Sequence, residues 1–309
     1  MGDAGGPVVL LVNAGATRVS GEVVREAERA LRPAGLAAVL SPRGVGAARE
    51  ALERAVADGA RTVATLGGDG TVALAAGVVA GTGTGLLPLP GGSTNVFARG
   101  LGWPADPLRA ARSAGRALEV PGRGLRLGEV VADGRASIAI VNTGIGVDAG
   151  AADWVERHPR AKRRLRQGAF AIAVTGPGVR ELLAAPALLH APDADPVPVH
   201  ALIAAWGRPY AYVGPRPIDL LPQAAWDGRM AWIALTARSP LRAAGMLAAA
   251  LRHREGPVSL AGSIGGLTTG GIVLESERGV LAQADGDPLG RVHRLELRPG
   301  PELLARVPA

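Results

Sequence analysis

A chain of 309 residues without one cysteine excludes disulfides, thiolate nucleophiles, thiolate zinc sites and iron–sulfur clusters. Hydrophobic residues make up 48% and charged residues 20%, the balance of a folded globular protein rather than a disordered or fibrous one. Thirty-four Lys and Arg against 27 Asp and Glu leave +7, with a pI near 11.0, so anionic partners are expected: nucleotide phosphates, acidic lipid surfaces or nucleic acid. Aromatic residues are only 3% and no nucleic-acid-binding signature is present, so nucleic acid is set aside. Met1–Pro7 lacks a basic region followed by an apolar stretch of signal length, and no window approaches the roughly 20 apolar residues a spanning helix needs. The expectation is a cytoplasmic protein that meets membrane only from its surface.

In chain order, Val8 to Val12 reads as a first strand. Val45, Ala48, Leu52, Ala55 and Val56 recur with helical period, and Thr62 to Leu66 follows as a buried strand. A helix is expected from Thr71, a strand over about Gly85 to Leu89, and another helix capped by Ser93 or Thr94. Asp106 with Pro107 has the form of a helix opening, a cap residue and then proline at the first position. This alternation marks a Rossmann-like βαβ domain on a parallel sheet, expected over 1–122.

Beyond about residue 120 the texture becomes hairpin-like: Leu125 to Val131, a turn at Asp133-Gly134, then Ser137 to Val141. Further strands are expected at Val199 to Ala205, Arg229 to Leu235, Gly271 to Glu275 and Arg291 to Leu297, and Pro186 to Pro198 as an exposed loop. An antiparallel β-sandwich domain is therefore expected over 123–290. Residues 291–309 are expected to pack back on the first domain. Two domains make a cleft between them a natural place for chemistry.

Straight after the buried strand stands Gly67-Gly68-Asp69-Gly70-Thr71. Glycines let backbone N–H groups approach phosphate oxygens with no Cβ in the way, and the following helix N-terminus adds partial positive charge. The turn is neither a Walker loop nor a dinucleotide fingerprint. Asp69 inside such a cradle would repel phosphate unless a metal ion or a proton compensates. The bland alternative is an ordinary strand-to-helix turn.

With Pro90-Gly91-Gly92-Ser93-Thr94-Asn95-Val96-Phe97-Ala98-Arg99 some twenty residues on, the chain resembles the diacylglycerol kinase catalytic-domain family and its bacterial lipid-kinase and sphingosine-kinase relatives. Asn13 to Thr17 resembles the family's nucleotide loop, Asn142 to Asp148 its Asn-x-Gly-x-Gly-x-Asp motif, and Gln283-Ala284-Asp285-Gly286-Asp287 its Asp-Gly-Glu segment. Ala14, Ser93, Val96 and Asp287 depart from the family pattern.

The resemblance implies an ATP-dependent lipid kinase using Mg2+. Asn13, Thr17, Ser41, Gly67, Gly68, Asp69, Gly70, Thr71, Gly92, Ser93 and Asn95 would hold the nucleotide, with Asp69 reaching magnesium through water. Asp287, with Asp285 beside it, would take the proton of the acceptor hydroxyl. Asp227, with the main-chain carbonyls of Ala224 and Arg229, would hold a structural magnesium. An Asp-Gly turn is otherwise an ordinary solvated hairpin. The acceptor expected is a diacylglycerol-like lipid, with peripheral contact to an anionic membrane and oligomeric state open to a homodimer. Arg157, Arg160, Lys162, Arg163, Arg164 and Arg166, ahead of apolar Phe170 to Val174, would suit acidic lipid or form a plain solvated helix face. Two other functions compete: a soluble-substrate kinase of the NAD kinase type, although its Asn-Glu pair is absent, and a catalytically silent nucleotide- or lipid-binding relative.

Overall fold

The computed structural model describes residues 6–158, 174–192, 194–251 and 262–309. By its contacts the chain divides into two units, one of residues up to Arg126 together with Pro301–Ala309, the other Leu127–Gly300.

The first unit is built on β1 (Val8–Val12), β2 (Leu36–Leu40), β3 (Thr62–Gly67) and β4 (Gly85–Pro90). They lie in the order β2-β1-β3-β4, every neighbouring pair parallel, and Leu304 and Ala305 add parallel beside Gly85 and Leu86. β1, β3 and β4 are buried along their whole length, as parallel strands covered on both faces must be. Between them run α1 (Gly21–Leu31), α2 (Val45–Ala57) and α3 (Asp69–Val79), followed by α4 (Val96–Gly100) and α5 (Pro107–Ser113). Ser20 caps α1, its hydroxyl accepting from Val23 N–H at 3.3 Å, and Val23, Ala27 and Leu31 form the buried stripe. Asp106 caps α5 through Arg109 N–H at 2.8 Å with Pro107 in the first turn, as the sequence leads one to expect. Because all four strands run the same way, their C-terminal ends, and the loops after them, emerge on one edge.

The second unit is antiparallel. It begins with the hairpin of β5 (Arg123–Ala132) and β6 (Arg135–Ala139), whose turn residues Asp133 and Gly134 have φ of 46° and 81°, the mirror-image turn that Asp-Gly favours. Next come β7 (Asn142–Ile145), α6 (Val147–Arg157), α7 (Val179–Leu182), β8 (Ala187–His190), β9 (Val197–Val199) and β10 (Ala201–Ala205). β11 (Ala211–Val213) and β12 (Arg216–Ile218) form a ribbon of their own, and β13 (Met230–Leu235), α8 (Pro240–Leu251), β14 (Ser263–Thr268), β15 (Ile272–Ala284) and β16 (Asp287–Ala305) complete the chain. The main path runs β14-β13-β10-β7-β15-β16. Trp206, Leu202, Met230, Leu274, Leu295 and Leu297 meet in its core. Gly128 lies flush on the Trp206 ring, where a β-carbon would come within 2.3 Å.

Four expectations are corrected. The helix expected at Thr71 starts at Asp69, because the chain turns immediately after Gly68. The helix expected to be capped by Ser93 or Thr94 starts at Val96, with Asn95 at the cap position in a left-handed conformation, φ 52°. Pro186 to Pro198 is not one exposed loop: it holds β8 and β9, paired antiparallel, with Ala187, Leu189 and Val199 buried in the core. Its prolines hide a short inward-facing alternation. Val199 to Ala205 is two strands, broken at His200. Of the basic and apolar run, Arg160 to Arg166 and residues 170–173 lie outside the described residues, while Arg157 pairs with Asp153 at 3.0 Å.

Gly77 sits on the exposed face of α3, and a β-carbon there would meet nothing within 4 Å, so its glycine only adds freedom to the unfolded chain. Gly77→Ala should raise stability by about 0.5–1 kcal/mol in urea unfolding. Destabilisation would mean that this face of α3 is packed rather than open.

Candidate active site

Three loops meet at the C-terminal edge of the parallel sheet. After β1, Asn13 N–H bonds to Leu66 O at 3.0 Å, and its side-chain oxygen accepts from Gly15 N–H at 3.1 Å. Its amide nitrogen donates to the Thr71 hydroxyl at 3.0 Å, tying the first loop to the start of α3. Arg18 N–H bonds to Gly91 O at 2.9 Å and Gly91 N–H to Gly67 O at 2.6 Å, closing the set.

The contact between the glycine turns explains their composition. A β-carbon on Gly92 would lie 2.7 Å from Gly68 Cα, and one on Gly91 would lie 2.6 Å from Val19 Cγ2 and 3.0 Å from Gly67 N. One on Gly67 would lie 2.5 Å from the Thr71 hydroxyl. At Gly91 and Gly92 backbone rests on backbone, and no side chain fits. Asn95 locks the second turn: its oxygen accepts from Gly92 N–H and its nitrogen donates to Gly92 O, both at 2.8 Å.

At α3 the first intrahelical bonds are Thr71 and Val72 N–H to Gly68 O, at 2.9 and 3.1 Å. The N–H groups of Asp69 and Gly70 precede that ladder and have no carbonyl within the helix to bond. Together with the helix dipole they form an anion-accepting nest. Asn13, Thr17, Gly70 and Ser93 on these loops are exposed, as is Ser41 after β2, whereas Gly92 and Asn95 are buried. The structure thus brings the expected nucleotide residues to one edge, in two layers: an exposed rim and a buried support.

Asp69 has a task the sequence did not reveal. Its carboxylate accepts from Phe97 N–H at 3.1 Å and from the Thr94 hydroxyl at 3.3 Å, and further bonds come from the N–H groups of Val96 and Asn95. It is the missing cap of α4, supplied from the turn after the neighbouring strand β3 because Asn95 is turned back on Gly92. Asp69 as a residue is half-buried, but its carboxyl group is shielded, and burial raises its pKa despite the bonds that favour the anion.

In the second unit, Asp285 and Gly286 form a tight turn with φ of 51° and 86°, joining Ala284 to Asp287. Asp285 is turned inward: one oxygen accepts from Ile140 N–H at 2.7 Å, the other from Val141 and Asn142 N–H at 2.8 and 3.0 Å. Asp287 stands exposed on the outer side of the turn.

In the loop expected to hold a structural magnesium, the Asp227 carboxylate is engaged by Arg229. Asp227 Oδ1 accepts from the main-chain N–H of Arg229 at 3.0 Å and Oδ2 from its Nε at 2.8 Å, with a further bond from the guanidinium, so one oxygen faces a cation and the other a main-chain amide. That hydrogen bonding, ahead of a small burial effect, holds the Asp227 pKa below the usual carboxylate range. Among the described residues no group of three or more His, Asp or Glu is placed to bind a metal. The guanidinium supplies in this loop the positive charge that a metal would bring.

Two measurements check these assignments. Asp69 holds a proton in the folded protein above its unfolded pKa, so its contribution to stability is full below that value and is lost as pH rises through the raised one. The stability of the wild type relative to Asp69→Asn should therefore fall as pH rises from about 4. A flat difference would contradict the burial of the carboxyl. Asp227→Ala, breaking a largely exposed pair, should cost no more than about 1 kcal/mol and leave the Mg2+ response of the thermal midpoint unchanged. A shifted Mg2+ response would restore the metal.

The diacylglycerol kinase catalytic domain matches residues 7–122. A crystal structure of a diacylglycerol kinase from Bacillus anthracis str. Sterne is similar over 96% of both chains, with a TM-score of 0.67 and 16% identity. Two proteins of the same strain, provisionally described as diacylglycerol kinases, give 0.72 at 19% identity over 96% of both chains and 0.68 at 18% over 97%. No curated protein sequence matches this chain. Among the described residues no helix is long and apolar enough to cross a membrane. Residues 7–122, most of the first unit, thus match the diacylglycerol kinase catalytic domain, and the whole chain shares the fold of these bacterial proteins.

Proposed function

We propose that the protein transfers the γ-phosphoryl group of ATP, taken as its magnesium complex, to the hydroxyl of a lipid acceptor of the diacylglycerol class. The observation that carries this reading is the nest at the start of α3. It offers main-chain N–H groups at the C-terminal edge of a parallel sheet, where ligands of such sheets bind. Phosphoryl transfer asks chiefly for positioning and charge neutralisation, and a nest of fixed dipoles serves both.

The parts take distinct roles. Gly67, Gly68, Gly70 and Thr71 hold the phosphates, and Asn13, Thr17, Ser41 and Ser93 complete the exposed rim. Asp69 and Asn95 keep the two glycine turns in register and need not touch the nucleotide. The magnesium ion, carried by the nucleotide, would neutralise phosphate charge. Asp285 is committed to three main-chain N–H groups, so the acceptor proton is assigned to Asp287, which is exposed.

A lipid acceptor lies at a membrane surface, and the second unit has a face suited to it. Leu241 on α8 is 85% exposed, with exposed Arg238 and Arg242 on either side, so apolar and cationic groups stand together as anionic bilayers favour.

Asp287→Ala should lower transfer of labelled phosphate from ATP to a diacylglycerol acceptor by about 100-fold or more, with ATP binding by calorimetry unchanged. Near-normal turnover would remove Asp287 from the reaction. Transfer to soluble acceptors alone would replace the lipid kinase with a soluble-substrate one.

A further inference from the structure

Beneath the Asp285-Gly286 turn lies a closed ring of polar side chains that the nucleotide and acceptor assignments do not use. Gln283, Asn142 and Asp148 are 1%, 6% and 7% exposed. The Gln283 amide nitrogen donates to Asn142 Oδ1 at 3.2 Å and to Asp148 Oδ2. The Asn142 amide nitrogen donates to Tyr210 O at 3.1 Å, and the Tyr210 hydroxyl donates to the other oxygen of Asp148, which closes the ring. The remaining Gln283 atom, Oε1, leaves the ring and accepts from Gly286 N–H at 2.6 Å, at the tip of the turn.

The spacing of Asn142, Gly144, Gly146 and Asp148 follows from this ring. Gln283 pairs with Gly144 across β15 and β7. A β-carbon on Gly144 would lie 2.6 Å from Asp148 Oδ2 and 3.2 Å from Gln283 Nε2, filling the space in which those two meet. Gly146, φ 81°, reverses the chain into α6, and a β-carbon there would strike His200 O at 2.4 Å. α6 thereby returns Asp148 to Gln283. A buried carboxylate with every neighbour satisfied is rigid, whereas a partly satisfied one is costly, so the ring has one arrangement.

We infer that Gln283, held by Asn142, Asp148 and Tyr210, is a positioning residue that fixes the 285–287 turn and through it the carboxylate of Asp287. It acts on the turn and not on the reactants. The inference rests on the reading of Asp287 as proton acceptor. It goes beyond that reading by assigning the Asn142–Asp148 motif and Tyr210 to the aim of that group.

The test is a double-mutant cycle. Gln283→Met keeps the side-chain volume and removes the three hydrogen bonds. It should lower kcat on the order of 100-fold, the usual cost of a misplaced reacting group, with the KM for ATP unchanged. In an Asp287→Ala background it should lower kcat no further, because its effect passes through Asp287. Tyr210→Phe, two bonds further from the turn, should show the same pattern with a smaller drop. Amide hydrogen exchange of residues 284–288 should quicken in Gln283→Met while the thermal midpoint of the nucleotide-bound protein stays within a few degrees. Unchanged exchange, or a full further loss of kcat in the Asp287→Ala background, would overturn the inference. A wild type that phosphorylates no lipid would overturn the underlying reading, whereas an active wild type with an equally active Gln283→Met would overturn this inference alone.

Discussion

The candidate nucleotide site depends on one close approach, backbone against backbone, between Gly67–Gly68 at the end of β3 and Gly91–Gly92 at the end of β4. Two parallel strands side by side deliver their following turns to the same place, and side chains on those turns would force them apart. With glycine at 91 and 92, where a β-carbon would crowd the Gly67–Gly68 backbone, the turns close to direct hydrogen bonding, Gly91 N–H to Gly67 O. Asn95 and Asp69 then convert a close approach into a fixed one. Asn95 seals the second turn on itself, and in doing so loses its ability to cap α4. Asp69, from the first turn, supplies that cap. Each turn thus completes the other, and the N–H groups at the head of α3 remain for an anion.

The second unit uses a different device for a similar end. Its acidic turn hangs from main-chain N–H groups through Asp285 and from a ring of buried side chains through Gln283. Of the two carboxylates in the turn, the inner is anchored and the outer is exposed, so near neighbours of identical type have different surroundings. Environment separates them, as it separates paired carboxylates generally. At Asp227 the same logic runs the other way: a carboxylate expected to face a metal faces the guanidinium of Arg229 instead.

Much of the first unit was legible in the sequence because its signals are local. The β-branched run of β1, the helical spacing of α2 and the Asp106-Pro107 opening all act within a few residues, and each lies where it was expected. What could not be read is what depends on distant partners. α4 starts late because its cap comes from Asp69, more than twenty residues earlier, and no local pattern encodes that. β8 and β9 were hidden because prolines mark turns, while the buried alternation of Ala187 and Leu189 is too short to register alone. The loops that gather at this edge were legible through motif resemblance, but the division of their residues into exposed and buried layers was not. Asp69 and Asn95, read in sequence as ligand contacts, also brace the two turns through side-chain hydrogen bonds. α1 was missed although Ser20 and the Val23, Ala27, Leu31 spacing gave a usable signal.

Anion binding by the nest at the head of α3 is tested most directly by amide hydrogen exchange with and without ATP. Magnesium–ATP should slow exchange at Asp69 to Thr71, with lesser protection over 13–18 and 91–95, and leave the far ends of β1, β3 and β4 unaffected. Unaltered exchange across all three loops at saturating nucleotide, or protection confined to other parts of the chain, would contradict it.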